Sequence, residues 1–156
     1  MPKITRLAKD EYYLNIALEI SRRGTCLRRC FGAIIVNHDE IISTGYCGAP
    51  RGAPNCIDLE ICPREKVGIP SGERYELCRS VHAEMNTIIS AERSRMLGGT
   101  MYIAGRNTFD NTLTEAHPCK MCRRAIINAG IKRIVIRKSD GGIKEILIEE
   151  EFIKNL

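Results

Sequence analysis

The sequence predicts an α/β fold in which helices cover both faces of a central sheet. Apolar residues recur at helical spacing near the N-terminus, and short apolar runs rich in β-branched residues then alternate with further helical stretches. Strands that alternate with helices are typical of a sheet packed on both sides. No linker, repeat or low-complexity tract interrupts this pattern, so we expect a single domain spanning residues 1–156.

The first predicted element is an amphipathic helix between about Lys9 and Arg23. Its apolar positions follow the spacing of one helix face, and they are Tyr12, Tyr13, Ile16, Ala17 and Ile20. Two strands follow at residues 31–36 and 41–46. Residues 37–40 between them have the polar composition of a turn, so the strands should pair as an antiparallel hairpin.

The remaining elements follow one long loop. Residues 47–81 are rich in Gly, Pro and Cys and show no regular period, and a loop of such length in a compact domain usually carries function. Beyond it we predict a helix from Ala83 to about Ser94, a strand at 100–104, a surface loop from Gly105 to His117, a helix from Cys119 to Ala129, a strand at 133–137 and a short final helix at 149–154 with a solvated acidic face.

Composition limits the class of protein. Of the 156 residues, 44% are hydrophobic and 28% are charged, and a chain of this length buries about two thirds of the surface that it exposes when unfolded. The N-terminus lacks the apolar core of a signal peptide, and no apolar run approaches the roughly 18 residues of a membrane span. We therefore expect a cytoplasmic protein with no membrane partner, whose 8 cysteines are metal ligands or buried thiols. The net charge of +5 suits an anionic ligand, either a nucleotide or a nucleic acid.

Two short motifs point to a zinc site. His82-Ala83-Glu84 begins one predicted helix, and Pro118-Cys119-Lys120-Met121-Cys122 begins another. Cys119 and Cys122 are three positions apart, so both sulfurs face the same side of the first turn and can share one ion. The unpaired N–H groups at a helix N-terminus also lower thiol pKa. One His and two Cys leave the fourth tetrahedral position of Zn²⁺ open, which is typical of a catalytic ion.

Two interpretations of these motifs compete. The two cysteines could be half of a four-ligand structural site, and His-x-Glu alone is common by chance. Together and in this order, with a nonligating Glu beside the His, the motifs are those of zinc nucleobase deaminases. Such an ion lowers the pKa of a bound water from about 15.7 to about 7, and Glu84 is the group that could move its protons. Positions two apart do not share a helix face, so the spacing alone does not show Glu84 reaching a substrate.

The chain from about Glu11 to Arg137 resembles the cytidine and deoxycytidylate deaminase superfamily, most closely its dCMP deaminases. Besides the zinc motifs, the resemblance rests on three segments: Thr25-Cys26-Leu27-Arg28-Arg29, Gly45-Tyr46-Cys47-Gly48-Ala49-Pro50-Arg51-Gly52 and Ile69-Pro70-Ser71-Gly72-Glu73-Arg74-Tyr75-Glu76. It implies a three-layer α/β/α cytidine-deaminase-like fold with a central mixed sheet of five strands. It also implies a zinc-dependent hydrolase of the deaminase class.

The resemblance further implies a reaction, the conversion of dCMP to dUMP and ammonia in pyrimidine deoxynucleotide metabolism. The implied metal ligands are His82, Cys119 and Cys122. Glu84 would be the catalytic acid and base, giving a proton to cytosine N3 and later one to the departing ammonia. The Ala83 backbone N–H would hold the pyrimidine O2, and Asn86 would have a supporting role.

Recognition of the sugar and phosphate is less determined. Arg28, Arg29 and Arg51 lie in the family-like segments, and guanidinium groups fit phosphate oxygens, although for any one of them a solvated arginine is the ordinary alternative. Cys47 occupies the position where dCMP deaminases usually carry Asn, and a thiol is a poor substitute for an amide that donates and accepts. The deoxy or ribo nature of the sugar therefore stays open. The 105–117 segment is longer than in typical members, and it could shape the pocket entrance.

Four other cysteines are expected to hold a second, structural zinc, because some members of the family have such an ion: Cys26, Cys56, Cys62 and Cys78. This ion would order the long loop, which has few apolar residues of its own. The alternative is that the four are unlinked buried thiols. Cys30 and Cys47 are interpreted as small core or loop residues, and four basic side chains as solvated: Arg123, Arg124, Lys132 and Arg133.

Three functions remain open on the sequence alone. A dCMP deaminase accounts for the motifs on both sides of the site. A nucleic-acid deaminase of the tRNA adenosine type is allowed by Met85 and the positive charge, but aromatic residues for base stacking make up only 5% of the chain. A zinc-binding regulatory protein without catalysis is disfavoured by the intact Glu84. The resemblance also implies a homo-oligomer, a hexamer or a dimer, and regulation by dCTP and dTTP as in several members.

Overall fold

The computed structural model of the chain describes residues 1–155. In chain order its elements are helix α1 (Lys9–Ser21), strands β1 (Arg29–Asn37) and β2 (Glu40–Tyr46), short helices α2 (Cys56–Leu59) and α3 (Pro63–Lys66), a 3₁₀ turn (Tyr75–Leu77), helices α4 (Ala83–Ile89) and α5 (Arg93–Met96), strands β3 (Thr100–Asn107) and β4 (Leu113–Thr114), helix α6 (Lys120–Asn128), strands β5 (Arg133–Arg137) and β6 (Ile143–Leu147), and a π-helical turn (Glu149–Ile153).

The mixed sheet has six strands, one more than predicted: five follow the order β2-β1-β3-β5-β6, and the short β4 pairs with the end of β3. The β3–β5 pair is parallel and the other pairs are antiparallel. The three inner strands are almost continuously buried, as strands covered on both faces are. The predicted three-layer fold with a mixed sheet is confirmed. Strand β6 was not predicted, because it is an edge strand in which only Ile146 is buried and its sequence lacks a regular alternation.

Helix α1 covers one face of the sheet. Its buried side chains pack with a cluster of strand residues that includes Ile34, Tyr102 and Val135. The buried stripe differs from the predicted one, because Leu14 is completely buried whereas Tyr12 is 50% exposed. Helix α1 lies so close to β1 that a Cβ atom at Gly32 would be 2.1 Å from a backbone oxygen of the helix.

Helices α4, α5 and α6 cover the opposite face. Their buried residues join one core with the sheet, which includes Ala83, Met96, Cys122, Ile126, Ile35, Ile103 and Ile136. The predicted helix from Ala83 to Ser94 is in fact two helices. The run of Thr87, Ile88, Ile89 and Ser90 consists of weak helix formers, and the chain leaves the helical conformation there before α5 begins.

Two hairpins shape the sheet. The predicted β1–β2 hairpin is confirmed, and His38 and Asp39 both have positive φ, as a type I′ turn requires. The segment predicted as a surface loop, Gly105–His117, is instead partly a hairpin, because β3 continues to Asn107 and β4 pairs back onto it. The polar composition of this segment gave no signal for β4, a strand of only two residues.

Other sequence expectations also have outcomes here. The final helical turn is found as predicted, and Phe152 is its buried residue. Arg133 is not solvated, since it binds Asp10 with an Nη2–Oδ2 distance of 2.6 Å, and the Arg123 guanidinium lies 5.0 Å from the Phe152 ring centre. Within residues 1–155, no helix has the length and apolar character needed to cross a membrane.

Candidate active site

Two helix N-termini bring the three predicted zinc ligands together. His82 is the N-cap of α4 and Cys119 is the N-cap of α6. The His82 Nδ1 atom lies 3.5 Å from Cys119 Sγ and 3.4 Å from Cys122 Sγ, and all three ligand atoms lie within 4.8 Å of one another. Neighbouring N and S ligands of a tetrahedral zinc ion are about 3.6 Å apart, given the usual Zn–S and Zn–N bond lengths. The donor set and its spacing therefore fit zinc.

Local contacts hold these ligands in place. The Cys119 sulfur accepts a hydrogen bond from the Cys122 backbone N–H at 3.4 Å, which caps α6. The His82 ring meets the Tyr75 ring edge to face, with 4.8 Å between the ring centres and an interplanar angle of 89°. Both contacts fix side-chain directions before any metal binds.

The three ligands also share protons. Hydrogen bonding with Cys122 lowers the pKa of Cys119 to about 4, and His82 adds to this effect. The same contact raises the pKa of Cys122. Burial acts to lower the pKa of His82, but hydrogen bonds with Cys119 and Cys78 outweigh it and raise that pKa to about 10. A thiolate beside an imidazolium is favoured, and a zinc ion would take the place of the ligand protons.

Glu84 lies in the first turn of α4 and is 6% exposed. It lines the same pocket as His82 and Cys119, and burial raises its pKa above the ordinary range. The helix-face rule does not separate it from His82, because His82 is an N-cap with an extended backbone at φ −68° and ψ 154°. Glu84 therefore borders the same cavity as the metal cluster.

Four of the predicted substrate residues also line this pocket: Ala83, Cys47, Arg28 and Arg29. Two others lie elsewhere. The Asn86 side-chain amide donates to the Tyr46 carbonyl at 2.8 Å, so it ties α4 to the end of β2. Arg51 is exposed in a turn and is not part of the pocket wall.

Cys47 is buried where β2 ends, and its thiol is engaged with the backbone. Its sulfur accepts from the Phe31 N–H at 3.4 Å and donates to the Arg29 carbonyl at 3.9 Å. The neighbouring Cys30 is completely buried, as expected of a core thiol.

The four cysteines of the predicted second zinc site lie in the same region, but no three of their sulfur atoms lie within 4.8 Å of one another. Cys26 and Cys78 line the pocket, whereas Cys56 and Cys62 stand at the starts of α2 and α3. Burial, followed by the charges of the other three thiols, raises the pKa of Cys56. In the described part of the chain, His82, Cys119 and Cys122 form the only group of three or more potential ligands within 4.8 Å. The second zinc therefore stays a prediction that this loop geometry does not favour.

Three pocket residues that were not singled out as site residues from the sequence come from the long loop: Arg64, Ser71 and Tyr75. Ala116 and His117, which precede the Cys119 helix, also line the pocket, in agreement with the expectation that the 105–117 segment could shape its entrance. Ser71 and Tyr75 lie within a segment already singled out for its family resemblance. Arg64 gave no such signal, because nothing in Pro-Arg-Glu-Lys distinguishes a buried arginine from a solvated one.

Comparison with known families agrees with this geometry. The family model described as the cytidine and deoxycytidylate deaminase zinc-binding region matches residues 7–138. The deoxycytidylate deaminase of Mycobacterium phage D29 is 34% identical over 134 residues, covering 83% of this chain and 94% of that protein. That of Schizosaccharomyces pombe is 32% identical over 138 residues, covering 88% of this chain but 39% of the yeast protein.

Solved structures show the same fold. The dCMP deaminase of cyanophage S-TIM5, crystallised in complex with dCMP and dUMP, has a TM-score of 0.58 at 24% identity and covers 87% of this chain and 90% of its own. The cytidine deaminase of Burkholderia pseudomallei also has a TM-score of 0.58, at 14% identity, with coverages of 89% and 92%. With the family match and the zinc-ligand geometry, these findings place the chain in the cytidine and deoxycytidylate deaminase family.

Proposed function

We propose that this protein deaminates dCMP to dUMP and ammonia. The observation that carries the proposal is the buried Glu84, which lines the pocket bordered by the three-ligand cluster of His82, Cys119 and Cys122. Relatives named deoxycytidylate deaminase at 34% and 32% identity support the choice of substrate. Among residues 1–155, no structural feature favours a nucleic-acid substrate or a protein without catalysis.

Several pocket residues then have defined roles in the reaction. Bound zinc supplies the Lewis acidity that makes water nucleophilic at neutral pH. The Glu84 carboxylate would take one proton from the attacking water and give it to cytosine N3, and it would later pass the second proton of that water to the departing ammonia. The Ala83 N–H lies in the first turn of α4, where backbone donors have no helical partner, so it is free to hold the pyrimidine O2. Arg28, Arg29 and Arg64 line the pocket wall, and guanidinium groups in this position suit a nucleotide monophosphate.

Several finer expectations accompany this proposal. A dimeric or hexameric assembly, regulation by dCTP and dTTP, and a cytoplasmic location remain predictions from the family resemblance and the composition. Metal analysis tests the second structural zinc predicted at the loop cysteines, because occupancy of both sites would give two ions per chain.

A substrate panel tests the proposed reaction. We expect ammonia release from dCMP at a kcat/KM well above that for CMP, cytidine, dCTP, guanine or a tRNA anticodon stem. The size of the preference for dCMP over CMP also measures whether Cys47 permits discrimination of the sugar. A protein with bound zinc that releases ammonia only from the tRNA stem, or from no member of the panel, would overturn the proposal.

The Glu84→Gln variant tests the acid and base role. Removing a positioned acid and base commonly costs about 10²–10⁴-fold in rate, so we expect kcat for dCMP to fall by at least this factor while zinc content stays at the wild-type level. Glu92→Gln is the matched control, because Glu92 is exposed just beyond the same helix and should leave kcat unchanged. Substantial activity in the Glu84→Gln variant would contradict the assigned role.

A further inference from the structure

The long loop places a buried arginine in the pocket wall. Arg64, in α3, is 5% exposed. Its Nε donates to the Glu73 carbonyl at 3.0 Å and its Nη2 to the Pro70 carbonyl at 3.2 Å. The guanidinium carbon lies 4.4 Å from the centre of the Tyr75 ring. Two backbone acceptors and an aromatic face thus hold the guanidinium plane in one orientation.

The charge of Arg64 has no carboxylate partner. Throughout residues 1–155, the acidic oxygens that form ion pairs within 4.0 Å all contact other basic residues. Arg28, by contrast, is paired with Glu65, with an Nε–Oε1 distance of 3.3 Å. Glu65 therefore neutralises Arg28 and not its own neighbour Arg64, and Arg64 keeps its positive charge at the pocket wall.

The arginine also has unused donors. In the described structure the Arg64 Nη1 makes no hydrogen bond, whereas Nε and Nη2 each make one. Nη1 is not sealed from solvent, so a ligand in the pocket can reach it. The pocket is the surface that Arg64 borders. A buried cation is costly unless an anion or hydrogen-bond acceptors compensate it, so an incompletely paired guanidinium at a pocket wall is suited to an anionic ligand.

A second unpaired donor borders the same pocket. The Ser80 hydroxyl is sealed from bulk solvent and has no partner among residues 1–155, although Ser80 is a lining residue. Tyr75 connects this region to the metal cluster, because one of its contacts is the Arg64 guanidinium and the other is the His82 ring. The two unpaired donors thus border the cavity that contains the zinc ligands.

We propose that Arg64, assisted by the Ser80 hydroxyl, binds the phosphate of the nucleotide and is the residue that makes the enzyme prefer a monophosphate over a free nucleoside. This inference rests on the proposed function as a dCMP deaminase. A guanidinium held in a fixed plane can offer two parallel N–H donors to phosphate oxygens. Arg28, whose charge Glu65 already neutralises, would contribute less.

The ratio of kcat/KM for dCMP to kcat/KM for deoxycytidine tests the inference. Hydrogen bonds to a charged group correspond to about 10- to 100-fold in binding. We therefore expect Arg64→Gln to lower kcat/KM for dCMP by about this factor while deoxycytidine turnover stays within about 3-fold of wild type. Arg64→Lys should recover part of the loss, because it restores the charge without the planar fork.

Three further variants separate this role from others. Arg51→Gln, an exposed arginine of the same loop outside the pocket wall, should leave the ratio unchanged, and Arg28→Gln should change it less than Arg64→Gln. Ser80→Ala should lower the ratio several-fold, and it keeps the inference testable if Arg64→Gln does not fold. An equal loss on both substrates would show that Arg64 only supports the loop, and an unchanged ratio in Arg64→Gln and Ser80→Ala would overturn the inference. A wild-type enzyme that prefers deoxycytidine would instead overturn the proposed function.

Discussion

His82 and Cys119 each occupy the N-cap of a helix, and this position determines what their side chains can do. An N-cap residue has an extended backbone, so its side chain is not bound to a helix face, yet it lies beside the unpaired N–H groups of the first turn. The hydrogen bond with the Cys122 thiol, the imidazole and those N–H groups stabilise a thiolate at Cys119, whose pKa is lowered to about 4. The helix ends thus favour the ligand form that zinc needs.

Cys119→Ser should remove the metal and the activity together, because a serine hydroxyl is a far weaker zinc ligand than a thiolate. Metal analysis of the purified variant should give less than the wild-type zinc content, and dCMP deamination should be lost. Cys62→Ser is the matched control, since Cys62 is a half-buried loop cysteine outside the ligand cluster.

The same pair of variants counts the ions. From the loop geometry we expect one zinc per chain in the wild type and in Cys62→Ser. Two ions in the wild type and one in Cys62→Ser would instead establish the second site predicted at the four loop cysteines. Full zinc content in Cys119→Ser would contradict the assignment of Cys119 as a ligand.

Helix α4 carries Glu84 and follows His82, so its docking on the sheet sets the geometry of the site. Thr87 contributes to this docking, since its carbonyl accepts from the Ser43 hydroxyl of β2 at 2.8 Å and its own hydroxyl donates to the Ala33 carbonyl of β1 at 3.2 Å. The helix can approach this closely because β2 has Gly45 at the contact. A Cβ atom there would be 2.4 Å from Thr87 Oγ1 and 2.6 Å from the Ala83 carbonyl oxygen.

Gly45→Ala should therefore damage both stability and catalysis. Overpacking a core contact commonly costs about 1–3 kcal/mol, and here the helix that must move is the one that positions Glu84. Gly32→Ala introduces a similar clash against α1 on the opposite face and is the matched control. We expect both variants to lower Tm, but only Gly45→Ala to lower kcat for dCMP at a temperature where both are folded. Equal kcat values in the two variants would argue against this coupling of helix docking to catalysis.

The elements that sequence reasoning predicted are those with a strong local signal. The β1–β2 hairpin has two apolar runs and a turn, and α6 has a proline and a cysteine pair at its start, so both were placed from local sequence. Strand β6 was not, because its sequence Ile-Lys-Glu-Ile-Leu buries only one side chain and depends on pairing with β5. The burial of Arg64 was not predicted either. It depends on contacts with the Glu73 and Pro70 carbonyls and the Tyr75 ring, and no periodic sequence pattern indicates these contacts.

Charged contacts join α1 to β5, and so they connect the N-terminal helix with a strand near the C-terminus. Asp10 binds Arg133 and accepts a hydrogen bond from the Tyr102 hydroxyl at 2.7 Å. Glu11 binds Arg137 with an Oε2–Nη1 distance of 3.0 Å, and Arg137 is buried in β5. The catalytic helices are on the other face, so these pairs stabilise the three-layer arrangement without contacting the site.

The Asp10→Asn substitution should make the free energy of unfolding vary less with pH in the acid range. Burial acts to raise the pKa of Asp10, but hydrogen bonds from Arg133 and Tyr102 outweigh it and hold the pKa below the ordinary value of 3.8. A lowered pKa in the folded state means that the charged form adds stability above the unfolded-state pKa, and that this stability is lost as pH falls through the folded-state value. The difference between wild type and Asp10→Asn should therefore be present at pH 7 and shrink below about pH 4.

Denaturant unfolding of both proteins between pH 3 and pH 7 measures this difference. Because the Asp10 side chain is 34% exposed, solvent screening should reduce it to about 1 kcal/mol at pH 7. Glu145→Gln is the matched control, since Glu145 pairs with the same Arg133 but is 50% exposed, and its effect should be smaller. A stability difference for Asp10→Asn that stays constant down to pH 3 would show that Asp10 acts through packing and not through its charge, and the ion pair would then not be what holds α1 against the sheet.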